Sequence, residues 1–275
     1  MLISRSLYAL LFIVLIGIAA PAQDLTLDQI LKKNEDAIGG AEAISKVQTL
    51  RMTARITMGD AQMEMATTVS IKRPNKVRTE TSAMGQSVVT AYDGTTGWMI
   101  NPLAGSSAPQ KLDEATVSKL TGTSLEGSIG ALSGIKAAGN TVELLGKEDV
   151  KGSPAYKLRV TLKVGITSTY FVDATTFLPV KITSRMGIRG QDVESEGYPS
   201  DYKKIGDILF AHSLETIVSG QTVRMTYDKI VSVEQGTPPY FAQMERTSNV
   251  SNGQNMVGGV PSFVETAGTA EHLRF

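Results

Sequence analysis

The chain has 275 residues, with 27 Lys and Arg against 27 Asp and Glu, two His and no Cys. Balanced charge offers no electrostatic footprint for nucleic acid, and without Cys no disulfide can staple the fold, so stability must come from an apolar core. The length fits one domain of about 200 residues with additional segments.

Residues 1–22 read as an export signal. Arg5 precedes an apolar run from Leu7 to Ala20, and Ala20-Pro21-Ala22 ends it. A short positive region, an apolar stretch and an A-x-A end make a cleavable secretory signal. The run is shorter than the roughly 20 apolar residues of a spanning helix; an uncleaved anchor is the alternative. The expected mature N-terminus is Gln23, where a bacterial lipoprotein would carry its lipidated Cys. The mature protein is therefore expected to be exported and free in its compartment, not lipidated, and near −1 in net charge once Arg5 is lost.

A helix follows. Thr26 and Gln29 fit a capping box, with Leu25 and Ile30 placed as a hydrophobic staple. Leu27, Ile30, Leu31 and Ile38 form an apolar stripe, Gly39-Gly40 ends the helix, and Ala41 to Val47 extends it by another turn or two.

From there the period changes to two. Met52, Ala54, Ile56 and Met58 alternate with polar residues, as do Met63, Met65, Val69 and Ile71, and Gly59-Asp60 turns between them. This reads as an antiparallel hairpin. Further strands are expected over Val77 to Ala83, Ser87 to Tyr92 and Gly97 to Asn101, with turns at Met84-Gly85 and Asp93-Gly94.

The centre is different. Asp113 to Leu120 reads as helix, with Leu112 and Val117 as a staple. Ser124 to Lys136 places Leu125, Ile129, Leu132 and Ile135 at helical spacing but includes Gly127, Gly130 and Gly134. Each glycine costs a helix about 1 kcal/mol relative to Ala, which predicts a weak helix or a mobile flap. Strands resume over Gly146 to Gly152 and through Tyr156, Leu158, Val160, Leu162 and Val164. They continue over Thr167 to Val172, Val180 to Ser184, Val193 to Lys203, Ile208 to Val218 and Thr222 to Val233.

The expected fold is mainly β with an α lid: an open antiparallel sheet, curled into a half-barrel and covered by helices. It occupies residues 23–240, followed by a flexible tail over 241–275, in which Ser262 to Thr266 is an alternative edge strand.

No nucleophile elbow, P-loop, H-E-x-x-H or metal-ligand cluster is present. His212 reads as a hydrogen-bonded strand histidine, and Asp192, Glu194 and Glu196 as a solvated strand face. No catalytic residue, metal or cofactor is expected. What remains is a sheet with one apolar face rich in adaptable thioethers, fitting either a plain core or a groove for lipid chains.

Two motifs resemble a known family. Lys72-Arg73-Pro74-Asn75 and the stretch Asp93-Gly94-Thr95-Thr96-Gly97-Trp98-Met99-Ile100-Asn101-Pro102 resemble the K-R-P-N and D-G-x-x-x-W-x-x-x-P patterns of LolA-like periplasmic lipoprotein carriers. Gly39 to Ile44, Asp201-Tyr202 and Gly206 to Ser213 are similar to the branch called outer-membrane lipoprotein-sorting proteins, although Ala211 stands where that branch has Pro before the His.

The resemblance spans about Asp24 to Val233. It implies a periplasmic half-barrel that shuttles acyl chains of lipoproteins, or other lipids, from an inner-membrane exporter to an outer-membrane acceptor. The balanced charge gives no expectation of a nucleic-acid partner, and a monomer is expected. The resemblance also implies an Arg73 that holds the lid closed, in keeping with the parity that turns Arg73 toward the apolar face and toward helix C-terminal carbonyls; an Arg73 that snorkels to solvent is the alternative. The nominated ligand-binding set is Met52, Ile56, Met63, Met65, Val69, Ile71, Arg73, Trp98, Leu158 and Val160. A scaffold or sensor of the same fold that binds no lipid, and a secreted carboxylate-based hydrolase, remain the alternatives.

Overall fold

The computed structural model describes residues 24–59, 63–83, 85–121, 124–188 and 191–233. The export signal at 1–22, the tail at 241–275 and the Ser262 to Thr266 alternative lie outside the described residues.

Helix α1 spans Leu27–Ile38 and is capped as expected, with both halves of the Thr26–Gln29 capping box formed. Helix α2, Gly40–Lys46, follows directly. The elbow between them needs Gly39: its φ is 147°, and a Cβ there would stand 2.4 Å from the Asp207 carbonyl oxygen. The elbow is thus pressed onto a strand turn with no room for a side chain.

Six strands come next: β1 Thr49–Met58, β2 Met63–Lys72, β3 Lys76–Ala83, β4 Gln86–Tyr92, β5 Gly97–Asn101 and β6 Ser106–Lys111. Helices α3 Glu114–Thr121, α4 Leu125–Ile129 and α5 Leu132–Ala137 then lead to seven more: β7 Thr141–Val150, β8 Ser153–Thr161, β9 Thr167–Asp173, β10 Pro179–Ile188, β11 Gln191–Ile205, β12 Ile208–Val218 and β13 Gln221–Val233.

All pairings are antiparallel, in the order β6-β5-β4-β3-β2-β1-β13-β12-β11-β10-β9-β8-β7. The last strand closes against the first, so β6 and β7 are the two edges. The α3–α5 segment must run from one edge to the other, and it does so across the concave face. A sheet this wide has to curl, and register shifts within the β1–β13, β9–β10 and β7–β8 pairs add local bends.

The structure differs from the sequence reading in four places. Strand β8 ends at Thr161, so Leu162 and Val164 lie beyond it, at the turn before β9. Ser124 to Lys136 is two short helices, broken at Gly130 in the left-handed region and at Ala131. Strand β7 begins at Thr141, and Gly152 belongs to the following turn. Strand β6 was not expected, because Ser-Ser-Ala-Pro-Gln-Lys has no apolar alternation.

The core has two main parts. One packs Ile38, Ile44, Leu125 and Ile129 of the helices onto Leu50, Met52, Ile71 and Phe210. The other packs Ile30, Leu31, Leu132 and Ile135 onto Val142, Leu158, Val160 and Val172. At about 1.5–3 kcal/mol for each large side chain fully buried, these contacts hold the helices to the sheet. Fully buried Asn34 ties α1 to α5 and to the turn before β10 within the second part: its Nδ2 donates to Phe177 O at 2.9 Å and its Oδ1 accepts from Leu132 N at 3.1 Å.

Candidate functional site

Strand register sets out the concave face in rows. Leu50 and Ile71 pair with Val77 beyond them, all three buried beneath the helices. Two residues on, Val69, Met52 and Ile230 form the next row, with Met52 and Ile230 each 6% exposed. Further still, Met65, Ile56, Met225, Leu214 and Pro199 line up across β2, β1, β13, β12 and β11. These five are half-buried. The apolar face therefore extends beyond its helical cover.

Where the cover begins, a cleft of about 160 Å³ lies between α4 and the sheet. Gly127, Ser128, Ile129 and Gly130 form its lid side, and Met52, Ile182, Phe210, Leu214 and Ile230 its apolar floor. Three tyrosines enter it: Tyr170 of β9, Tyr202 of β11 and Tyr227 of β13. Desolvation pushes all three phenols above the usual tyrosine range. The Tyr202 hydroxyl donates to Pro179 O at 2.7 Å.

A polar latch holds the lid at the β2 end. Arg73 Nε donates to Val47 O at 2.9 Å and a terminal nitrogen donates to Ile44 O at 3.2 Å, both at the C-terminus of α2. Its other terminal nitrogen pairs with the Glu126 carboxylate on α4. The two side chains are 26% and 16% exposed, so solvent screens the pair only in part. One guanidinium thus joins the sheet to both covering elements.

Among the described residues no group of three or more His, Cys, Asp or Glu is placed to hold a metal ion, and no helix is long and apolar enough to cross a membrane. His212 Nδ1 lies 3.1 Å from Phe210 O. Glu194 pairs with Arg185, and Glu196 with Lys181 at 2.9 Å.

No protein-family model matches the sequence, and no curated protein matches it significantly. Solved structures do. A LolA superfamily protein from Nitrosomonas europaea superposes with a TM-score of 0.53 at 16% identity, over 79% of this chain and 97% of its own. A candidate outer membrane lipoprotein-sorting protein domain from Vibrio parahaemolyticus gives 0.52 at 13%, over 79% and 97%. A DUF1329 family protein from Desulfovibrio piger gives 0.53 at 13%, over 78% and 96%. The chain has the LolA-like fold.

Within this LolA-like half-barrel the nominated residues separate. Met52, Ile56, Met65, Val69 and Ile71 share the concave face, running from buried to half-buried toward the open end. Met63 stands opposite Met58 in the β1–β2 register. Leu158 and Val160 are 0% and 2% exposed, inside the core beneath α1 and α5 and away from the cleft.

Trp98 is on the other face. Gly97 pairs with Tyr92 in the row of Val77 and Ile71, so its neighbour Trp98 projects to the convex side with Ala91 and Val89. The D-G-T-T stretch before it forms a turn, with Asp93 Oδ1 accepting from the Thr95 and Thr96 amides at 2.8 Å each. The Asp93 turn and Trp98 thus lie beside the β6 edge, and neither lines the cleft.

Sequence reasoning missed Tyr170, Tyr227, Met225, Leu214 and Glu126. Met225 and Leu214 follow strand alternation and could have been found by extending the parity analysis to β12 and β13. Glu126 carried no signal, because its partner lies 53 positions away.

Proposed function

We propose that the protein is a periplasmic carrier that binds acyl chains of lipoproteins, or other lipids, and delivers them toward the outer membrane, with no catalytic step. The observation that carries this reading is the apolar row from Met65 to Pro199, half-exposed and continuous with a lidded cleft. An apolar face left uncovered in this way suits an apolar partner, and thioethers at Met52, Met65 and Met225 can adapt to chains of different shape. The ligand-binding set drawn from the nominated residues is Met52, Ile56, Met65, Val69 and Ile71, with Arg73 as the gate.

The LolA-like fold supports transfer between an inner-membrane donor and an outer-membrane acceptor. Export through the signal at residues 1–22, action as a monomer and independence from nucleic acid and cofactors belong to the same reading. The test is mass spectrometry of organic extracts from protein purified from a periplasmic fraction, together with displacement of a fluorescent fatty acyl probe. Stoichiometric lipid and saturable displacement are expected. Lipid-free protein that binds no acyl probe would leave a scaffold as the better account.

A further inference from the structure

The cleft contains two phenol groups that its apolar surroundings do not satisfy. No hydrogen bond ties the Tyr170 or Tyr227 hydroxyl to another described residue. Among the described residues the sealed side-chain polar atoms without a partner are Thr49 Oγ1 and Trp98 Nε1, so neither tyrosine hydroxyl is walled off. Both rings line the cleft. In the sheet order β9 and β13 are separated by β10, β11 and β12, so the two rings reach the cleft from well-separated strands. Tyr202, from the strand midway between them, already donates to Pro179 O.

We propose that Tyr170 and Tyr227 are specificity-determining donors for the ester carbonyl of an acyl chain held in the cleft. This rests on the carrier reading and names the chemistry its groove selects. A pure hydrocarbon filling the cleft would strip water from both hydroxyls and return no hydrogen bond, which is unfavourable for a buried polar group. An acyl ester inserts its chain along Met52, Ile182 and Ile230 and offers an acceptor to one hydroxyl or the other. Sites that hydrogen-bond a ligand group discriminate against analogues lacking it far better than apolar pockets sort chain length. Desolvation keeps both phenols neutral through the physiological range, so they stay donors.

The experiment uses the full chain, stripped of lipid, and displacement of a fluorescent apolar probe by methyl laurate or by dodecane. Wild type should bind the ester about tenfold more tightly than the alkane, as one hydrogen bond to an otherwise unpaired donor allows. Tyr170→Phe and Tyr227→Phe keep the rings. At least one should lower the ester-to-alkane affinity ratio by about threefold to tenfold, with the alkane bound no more weakly than by wild type. Tyr202→Phe is the control and should not change the ester-to-alkane ratio. Equal affinity for ester and alkane, or variants that weaken both equally, would overturn the tyrosine assignment and leave the carrier reading standing. Failure of both probes to displace would overturn the carrier reading itself.

Discussion

Glu126 reaches Arg73 by passing over Gly134. A Cβ built on Gly134 would lie 2.4 Å from Glu126 Cγ and 3.1 Å from its Cβ. The glycine that weakens α5 as a helix is therefore what lets the α4 carboxylate extend to the sheet. Helical stability in the lid is given up for a path between two charges, which couples a local sequence choice to the closure of the cleft.

Removing the latch should loosen the lid without unfolding the sheet. Arg73→Leu leaves the Ile44 and Val47 carbonyls and the Glu126 carboxylate without their shared donor, at a cost of about 1–3 kcal/mol for hydrogen bonds to a charged group. Amide exchange over Leu125 to Ile135 should quicken while that of Leu158 to Val160, beneath α1 and α5, stays slow. Acyl-probe release should change in parallel. Unchanged exchange and release together would reduce Arg73 to a surface charge.

Gly134→Ala tests the path. On propensity alone, Ala should stabilise α5 by about 1 kcal/mol. The new Cβ instead pushes Glu126 aside, so the lid should exchange faster than in wild type despite the better helix former. Because both substitutions act on one contact, Arg73→Leu and Gly134→Ala should combine with less than the sum of their separate effects in a double-mutant cycle. Full additivity would show that Gly134 does not act through the latch.

Asn34 is the structural counterpart of the latch. Asn34→Ala removes the partners of Phe177 O and Leu132 N at a fully buried position, which predicts a loss of about 2–4 kcal/mol. Unlike Arg73→Leu, it should lower the denaturant midpoint of the whole domain, because it lies where α1, α5 and the β9–β10 turn meet. A shift confined to lid exchange would mean the two core parts unfold separately.

Strand parity could be read from sequence wherever the two faces differ in polarity. Val69 and Ile71 against Ser70 and Lys72 give the alternation directly, and the β1–β2 register follows it. Strand β6 could not be read, because an edge strand exposed along most of its length needs no apolar face. The face of Trp98 was hidden for a different reason. Gly97 and Trp98 are adjacent, and pairing with β4, not the local pattern, decides which points into the groove. Likewise three glycines in Ser124 to Lys136 look equivalent in sequence. Gly130 is the one of the three in the left-handed region, at the end of α4, and a Cβ there would meet Pro179 and Ile38, which come from distant parts of the chain.

Alkaline titration reports on the cleft. Desolvation raises the Tyr170, Tyr202 and Tyr227 phenols above their unfolded value. A group whose pKa is higher when folded stabilises the fold below its unfolded pKa, and that contribution is lost as pH rises through the folded value. Stability should therefore begin to fall near pH 10, the ordinary tyrosine value, and continue to fall above it as unfolded chains ionise more readily. Ultraviolet difference titration should resolve a group of phenols that ionise late, and Tyr170→Phe or Tyr227→Phe should each remove one of them. Bound lipid should delay them further by drying the cleft. A single tyrosine transition at the ordinary value, unmoved by lipid, would place these rings in water and remove the physical basis for an apolar cleft at this site.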